Sequence, residues 1–147
     1  MKISEDRIKH MHGVAEYMYK NASKYNLNPE EMYILGLLHD IGYVQGRLDH
    51  EVIGARLLEK EGYKHSSIVS WHGTTPLDYM RLRDCSIEDI PKELILLWEA
   101  DLSVNSLGYE VSFNERLKDI GLRYGFDSIQ YRLAKEKITW LMDYKEL

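Results

Sequence analysis

The chain has 147 residues, of which 44% are hydrophobic and 29% are charged, with a formal net charge of −5. This size and composition predict a folded protein with one core, a single domain over residues 1–147. The negative charge argues against duplex nucleic acid as a partner. A charged amino terminus and only short apolar runs argue against a signal peptide or a membrane partner and favour the cytoplasm. The single cysteine, Cys85, excludes a cysteine-cluster zinc site, so a metal would need nitrogen and oxygen ligands.

Helix-capping residues and glycines divide the chain into predicted helices joined by short turns, each with apolar residues spaced by three and four. The predicted boundaries are Ser4 to about Lys24, Asn28 with Pro29 to near Gly42, Asp49 to Gly62, Ser66 to His72, Pro91 through Asp101, and two last helices that start with a Ser112 and Glu115 capping box and are separated at Gly125 and Asp127. Residues 74–84 are predicted to form a loop, and no segment has the period of two that indicates a strand. The expected fold class is therefore all-α, a compact bundle of six or seven helices.

Histidine and aspartate residues carry the candidate chemistry. His10 lies at the edge of the first helix's apolar stripe, where a single histidine is more often packed than metal-bound, and His12 falls on the opposite flank. His39 and Asp40 follow the apolar run of residues 34–38. A carboxylate buried there needs a cationic partner, because an unpaired buried charge is strongly unfavourable. That partner is a metal ion or a basic side chain, and the adjacent histidine favours the metal.

The run His39-Asp40-Ile41-Gly42 resembles the HDIG signature of the HD-domain superfamily. Other elements in the family's order are Arg7-x-x-His10-x-x-x-Val14, His50 in HEVIGARLL, His72 in IVSWHG and Asp101 in LLWEADLS. The resemblance spans Arg7 to about Asn105. Each element alone is common, but six in this order indicate the family.

The resemblance implies a metal site formed by His10, His39, Asp40 and Asp101. In dinuclear members two further histidines, which match His50 and His72, bind a second metal, and Asp40 bridges. We expect two ions rather than one; in the one-ion alternative the two further histidines are structural. Imidazole and carboxylate ligands suit Fe, Mn, Co, Ni or Zn better than Mg or Ca.

From this resemblance we expect a metal-dependent phosphohydrolase that cleaves a nucleotide or another small phosphate ester or anhydride with metal-activated hydroxide. Tyr43 after HDIG and the missing GYP motif disfavour cyclic-dinucleotide phosphodiesterases, and the missing Glu-Asp pair disfavours guanosine-tetraphosphate hydrolases. The likeness to dinucleoside tetraphosphate hydrolases is partial. Two alternatives stay open, a mixed-valence di-iron oxygenase of the superfamily and a non-catalytic nucleotide-binding module, and a homodimer is one of the open assembly states.

Besides Asp40, Arg7 is the expected catalytic residue, because it lies one turn before His10 and can turn its guanidinium toward a phosphate or a ligating carboxylate. The alternative is a salt bridge to a structural carboxylate. Further candidates for substrate contact are Arg47, Lys64, Arg81 and Arg83, each of which is otherwise a solvated residue. Thr74 and Thr75 either donate to phosphate or cap the turn before Pro76.

Overall fold

A computed structural model describes residues 3–45 and 49–146. The helices are α1 (Glu5–Asn21), α2 (Pro29–Leu38), α3 (His50–Lys60), α4 (Ser66–Trp71), α5 (Pro76–Arg83), α6 (Lys92–Asp101), α7 (Phe113–Tyr124) and α8 (Ile129–Lys145). Short 3-10 helices cover Ala22–Tyr25, Ile41–Gln45 and Ile87–Asp89. Within the described ranges the only β-pairing is an isolated bridge between Val104 and Glu110. The all-α fold class is confirmed.

The predicted loop over residues 74–84 is wrong, because most of it is α5, and the described residues therefore form eight helices rather than six or seven. The Thr75 side chain accepts a hydrogen bond from the backbone N–H of Asp78 at 3.2 Å, and Pro76 presets the first turn. Asp84 ends the helix in the left-handed region at φ 49°. Thr-Pro is therefore a helix start here rather than a turn.

Two predicted helix ends are also too late. The first α-helix stops at Asn21 and continues as a 3-10 helix that ends at Asn26, which has φ 58°. The second α-helix stops at Leu38, so His39 and Asp40 lie in the turn between α2 and the next 3-10 helix. The capping box of Ser112 and Glu115 is confirmed, with its two reciprocal hydrogen bonds at 3.0 and 3.1 Å.

The core is organised around α6, in which every residue from Leu94 to Ala100 is buried. Helices α1, α2, α4 and α8 all contact α6, and α1 packs most extensively against α2. A Cβ at Gly36 would lie only 2.8 Å from the Cα of Ala15, so glycine permits the close approach of α2 to α1. In the described part of the chain, no helix is both long and apolar enough to cross a bilayer.

A second close approach fixes the start of α3. A Cβ at Gly42 would overlap the carbonyl oxygen of His50 and lie 2.8 Å from the backbone nitrogen of Gly54. Because both neighbours are backbone atoms, Gly42→Ala should lower the free energy of unfolding by roughly 1–3 kcal/mol, the usual cost of overpacking. Denaturant unfolding measures this loss. Glu59→Ala, at an exposed position of α3, is the matched control, and equal stability of the two variants would contradict the constraint.

Candidate metal centre

The six predicted metal ligands meet in one cluster, although they come from five places in the chain. His10 lies in α1, His39 and Asp40 follow α2, His50 begins α3, His72 follows α4, and Asp101 ends α6. Neighbouring imidazole rings are separated by 5.2 to 5.6 Å between centroids. The cluster is largely buried, since His10, His39, Asp40 and His72 are each at most 4% exposed.

Asp40 lies at the middle of the cluster, and its two carboxylate oxygens face different histidines. Oδ2 is 3.2 Å from Nε2 of His39 and 4.0 Å from Nε2 of His10. Oδ1 is 3.3 Å from Nε2 of His50 and 3.3 Å from Nε2 of His72. One oxygen thus belongs to each histidine pair, which is the arrangement a bridging carboxylate requires.

Backbone carbonyls set the orientation of three imidazoles. The Nδ1 of His39 donates to the carbonyl of Gly36 at 2.6 Å, and the Nδ1 of His72 donates to that of Val69 at 2.5 Å. His10 donates in the same way to a carbonyl in the loop after α6, at 2.9 Å. Because a carbonyl only accepts, these bonds place the ring proton on Nδ1 and turn the Nε2 lone pair toward the cluster.

The imidazole nitrogens that face the cluster lack protein donors within the described ranges and can bind a metal ion. The buried Nε2 of His39 has no hydrogen-bond partner among the described residues, although the Asp40 carboxylate is near. The Nε2 of His10 lies 2.7 Å from Oδ1 of Asp101. Both atoms carry only lone pairs when the imidazole is neutral, so a proton or a metal ion must lie between them. Imidazole and carboxylate donors together suit transition metals.

The electrostatics also call for a cation. Burial alone would raise the pKa of Asp40 and Asp101, but the neighbouring histidines hold both well below their usual range. Burial alone would lower the pKa of His39, but the two carboxylates raise it to about 10. The carboxylates are therefore ionised in the interior and are neutralised by positive charge on the imidazoles or by a bound metal.

Among the residues that the structure describes, three overlapping groups of donor atoms can hold an ion, with the atoms in each group within 4.8 Å of one another. The groups are His10 with His39 and Asp101, His39 with Asp40 and His72, and His50 with Glu51 and His72. Glu51 is an addition to the predicted ligands, and its Oε2 lies 3.5 Å from Nδ1 of His50. The signal for it in the sequence is a carboxylate directly beside a predicted ligand.

Arg7 pairs with the central carboxylate. Its Nη1 lies 3.2 Å from Oδ2 of Asp40, and its guanidinium stacks 4.0 Å from the centre of the Tyr43 ring. A second nitrogen donates to the hydroxyl of Tyr124 at 3.4 Å. Burial opposes the charge, but Asp40 outweighs it and raises the pKa of Arg7 above its usual value. Of the predicted roles, the geometry supports contact with the ligating carboxylate.

A cavity of about 600 Å³ opens onto the cluster. Its wall includes Arg116 from α7 and Lys137 from α8, neither of which was among the predicted site residues. Both lie on the buried stripes of amphipathic helices, Arg116 four residues before Ile120 and Lys137 three residues after Ala134. A basic residue within an apolar stripe is thus the signal that finds them. Burial lowers the pKa of Lys137.

The remaining basic candidates do not line this cavity in the part of the chain that is described. Lys64 forms an ion pair with Glu31, and Arg81 pairs with a residue of its own helix at 3.2 Å. Arg83 is an exposed residue near the Trp71 ring. These contacts fit the solvated alternative. Arg47 lies outside the described residues.

Two other polar residues lie outside the cluster. The Thr75 hydroxyl caps α5, as the fold requires, rather than pointing to a phosphate site. His12 is exposed on α1, away from the cluster that includes His10. His12 therefore serves as a histidine control for metal binding.

This bundle, with a buried histidine and carboxylate group that can hold a metal, matches a known protein class. A family model described as HD domain matches residues 7–103, about two thirds of the chain, and the chain belongs to that family. Family membership implies the superfamily of metal-dependent phosphohydrolases. No curated protein and no solved structure matches the chain. The family match ends before α7 and α8, which supply Arg116 and Lys137 to the cavity.

Metal stoichiometry of variants tests the assignment of ligands. The wild type should bind one to two transition-metal ions per chain. Asp40→Ala should lose both, because each oxygen of Asp40 faces one histidine pair, whereas His72→Ala should retain one ion. The measurement is elemental analysis after reconstitution and desalting. His12→Ala is the control and should keep the wild-type value; a His72→Ala protein with full metal content would contradict the two-ion arrangement.

The charge state of His39 predicts a proton linkage. Its pKa of about 10 means that the metal-free site holds a proton on this imidazole at pH 7.5. A metal ion requires the neutral ring, so binding should release at least one proton per chain, and affinity should increase as pH rises toward 10. Calorimetry in two buffers of different ionisation enthalpy measures the release. A binding enthalpy that is independent of the buffer would contradict this prediction.

Proposed function

We propose that the protein is a metal-dependent phosphohydrolase that acts on a nucleotide or another small phosphate ester or anhydride. The proposal rests on the position of Asp40, whose two carboxylate oxygens face separate histidine pairs at the base of an open cavity. A cavity of about 600 Å³ is within the usual size of a small-molecule site. Buried ionised carboxylates at such a position fit a metal centre better than a purely structural ion pair.

The charge of the cavity wall supports an anionic substrate only when a metal is bound. Among the described residues of the wall, the carboxylates are Asp40, Asp49, Glu51 and Asp101, and the basic side chains are Arg7, Arg116 and Lys137. Together with the imidazolium of His39, these described wall residues nearly cancel in charge without a metal, so they give a phosphate little net attraction. One divalent cation that displaces the His39 proton makes the site net positive, and a second adds further attraction.

The chain's own residues hold the reactants in this proposal. Bound metal ions would supply the Lewis-acid chemistry, by holding phosphate oxygens and acidifying water. Asp40 and Asp101 stay ionised because the imidazoles face them, so both are available as ligands at neutral pH. Arg7 is within 3.2 Å of Asp40 and lines the same cavity, where its charge can contact a substrate oxygen.

A hydrolysis screen tests the proposal. Metal-free protein is reconstituted separately with Mn, Fe, Co, Ni and Zn and incubated with nucleoside mono-, di- and triphosphates, dinucleoside polyphosphates and simple phosphomonoesters. Phosphate or nucleotide release should depend on the metal and should fall to background in Asp40→Ala. His12→Ala should retain wild-type rates, which separates loss of the site from general damage.

The same preparations separate the alternatives. Oxygen consumption by the iron-loaded protein, with no hydrolysis of any compound, would replace the hydrolase with the di-iron oxygenase. Tight nucleotide binding without turnover under any metal would instead support the non-catalytic module. Either result contradicts the proposed hydrolysis.

A further inference from the structure

Lys137 is a buried cation whose hydrogen-bonding capacity is mostly unused. It is 8% exposed, and its Nζ donates to the backbone carbonyl of His72 at 3.1 Å. Within residues 3–45 and 49–146, this is its single hydrogen bond, and no carboxylate oxygen lies within 4.0 Å of Nζ. An ammonium group has three N–H donors, so two remain without a protein acceptor at the wall of the cavity.

The two other basic residues that line the described part of the cavity, Arg116 and Arg7, already have acceptors. Arg116 donates through Nε to the carbonyl of Asp101 at 3.0 Å and through Nη1 to Asp119 at 2.8 Å. Arg7 pairs with Asp40. Burying an ammonium group with two free donors is unfavourable unless an acceptor arrives, and the cavity is the side from which one can arrive.

We infer that Lys137 binds an anionic phosphate oxygen of the substrate on the His50 and His72 side of the metal centre, and that one face of α8 contacts the rest of the substrate. This inference rests on the proposed function. The hydrogen bond from Nζ to the His72 carbonyl places the ammonium group on the His50 and His72 side of the metal centre. His72 belongs to the histidine pair that faces Oδ1 of Asp40.

The spacing of α8 residues gives the direction of the substrate. The residues of α8 that line the cavity are Gln130, Leu133, Ala134 and Lys137, which recur at the three- and four-residue spacing of one helix face. From Gln130 to Lys137 this face is about 10 Å long. Gln130 is exposed and Lys137 is buried, so the phosphate lies at the inner end and the organic group extends toward solvent.

The experiment compares Lys137→Met, which keeps the length of the stem but removes the charge, with Lys135→Met at an exposed position of α8. A second variant, Lys137→Gln, keeps an N–H donor and also removes the charge. For each metal-loaded protein, calorimetry measures the Kd of inorganic phosphate, and steady-state kinetics measure KM and kcat for the best substrate of the screen. Metal content and thermal unfolding are measured in parallel.

Both Lys137 variants should weaken phosphate binding and raise KM roughly tenfold or more, with metal content unchanged. Lys135→Met should match the wild type. Unchanged KM and phosphate Kd in a Lys137 variant that is folded and metal-loaded would overturn the inference while hydrolysis by the wild type stands. Failure of the metal-loaded wild type to bind phosphate would also overturn it. Phosphate binding that depends on Lys137, without turnover of any compound, would instead reject the proposed hydrolysis and keep the inference.

Discussion

The charge on Asp40 is the constraint on which the site depends. Its carboxylate is 3% exposed, and an unpaired charge so deep in the protein would be strongly destabilising. Four imidazoles and Arg7 surround it. These partners come from α1, the turn after α2, α3 and the end of α4, so neutralising one carboxylate requires four separate parts of the chain to meet. Five of the six candidate ligands lie at helix boundaries, and His10 lies within α1.

At two helix ends, a histidine of the site donates a hydrogen bond to a carbonyl of the preceding helix. The last carbonyls of an α-helix have no partner within the helix. His39 and His72 each follow a helix directly, and each donates its Nδ1 proton to the carbonyl three residues earlier. Each bond fixes the tautomer and turns Nε2 toward Asp40, and the Val69 carbonyl also accepts the backbone N–H of His72 at 3.3 Å. A second helix that continued to near Gly42, as the sequence predicted, would use the Gly36 carbonyl for a backbone hydrogen bond and would leave the His39 ring without this acceptor.

The sequence predicted the residues of the candidate metal centre better than the lining of the cavity, for a physical reason. Candidate ligands such as His10 and Asp101 stand in motifs with characteristic neighbours, so the family pattern identifies them without knowledge of the fold. Arg116 and Lys137 lack such motifs, and their importance depends on which face of a helix meets the cavity. Their one sequence signal is charge within an apolar stripe, whereas Glu51 is indicated by its place directly beside His50. The sequence did not predict α5, because Leu77 and Leu82 are apolar residues on its exposed side. They obscure the single apolar stripe that identifies a short helix.

A network around the buried Glu99 carboxylate links α8 to the helices that carry the candidate metal ligands. The carboxylate of Glu99 in α6 accepts hydrogen bonds from Tyr17 at 2.5 Å and Tyr25 at 2.7 Å, and Lys145 at the end of α8 lies 3.2 Å from it. Glu99 is 1% exposed, and the half-exposed Lys145 side chain links α8 to it from the surface. The family match covers the candidate metal ligands but not α8. If α8 binds substrate as inferred, the shared core supplies the chemistry, and a helix outside the match determines which phosphate compound is cleaved.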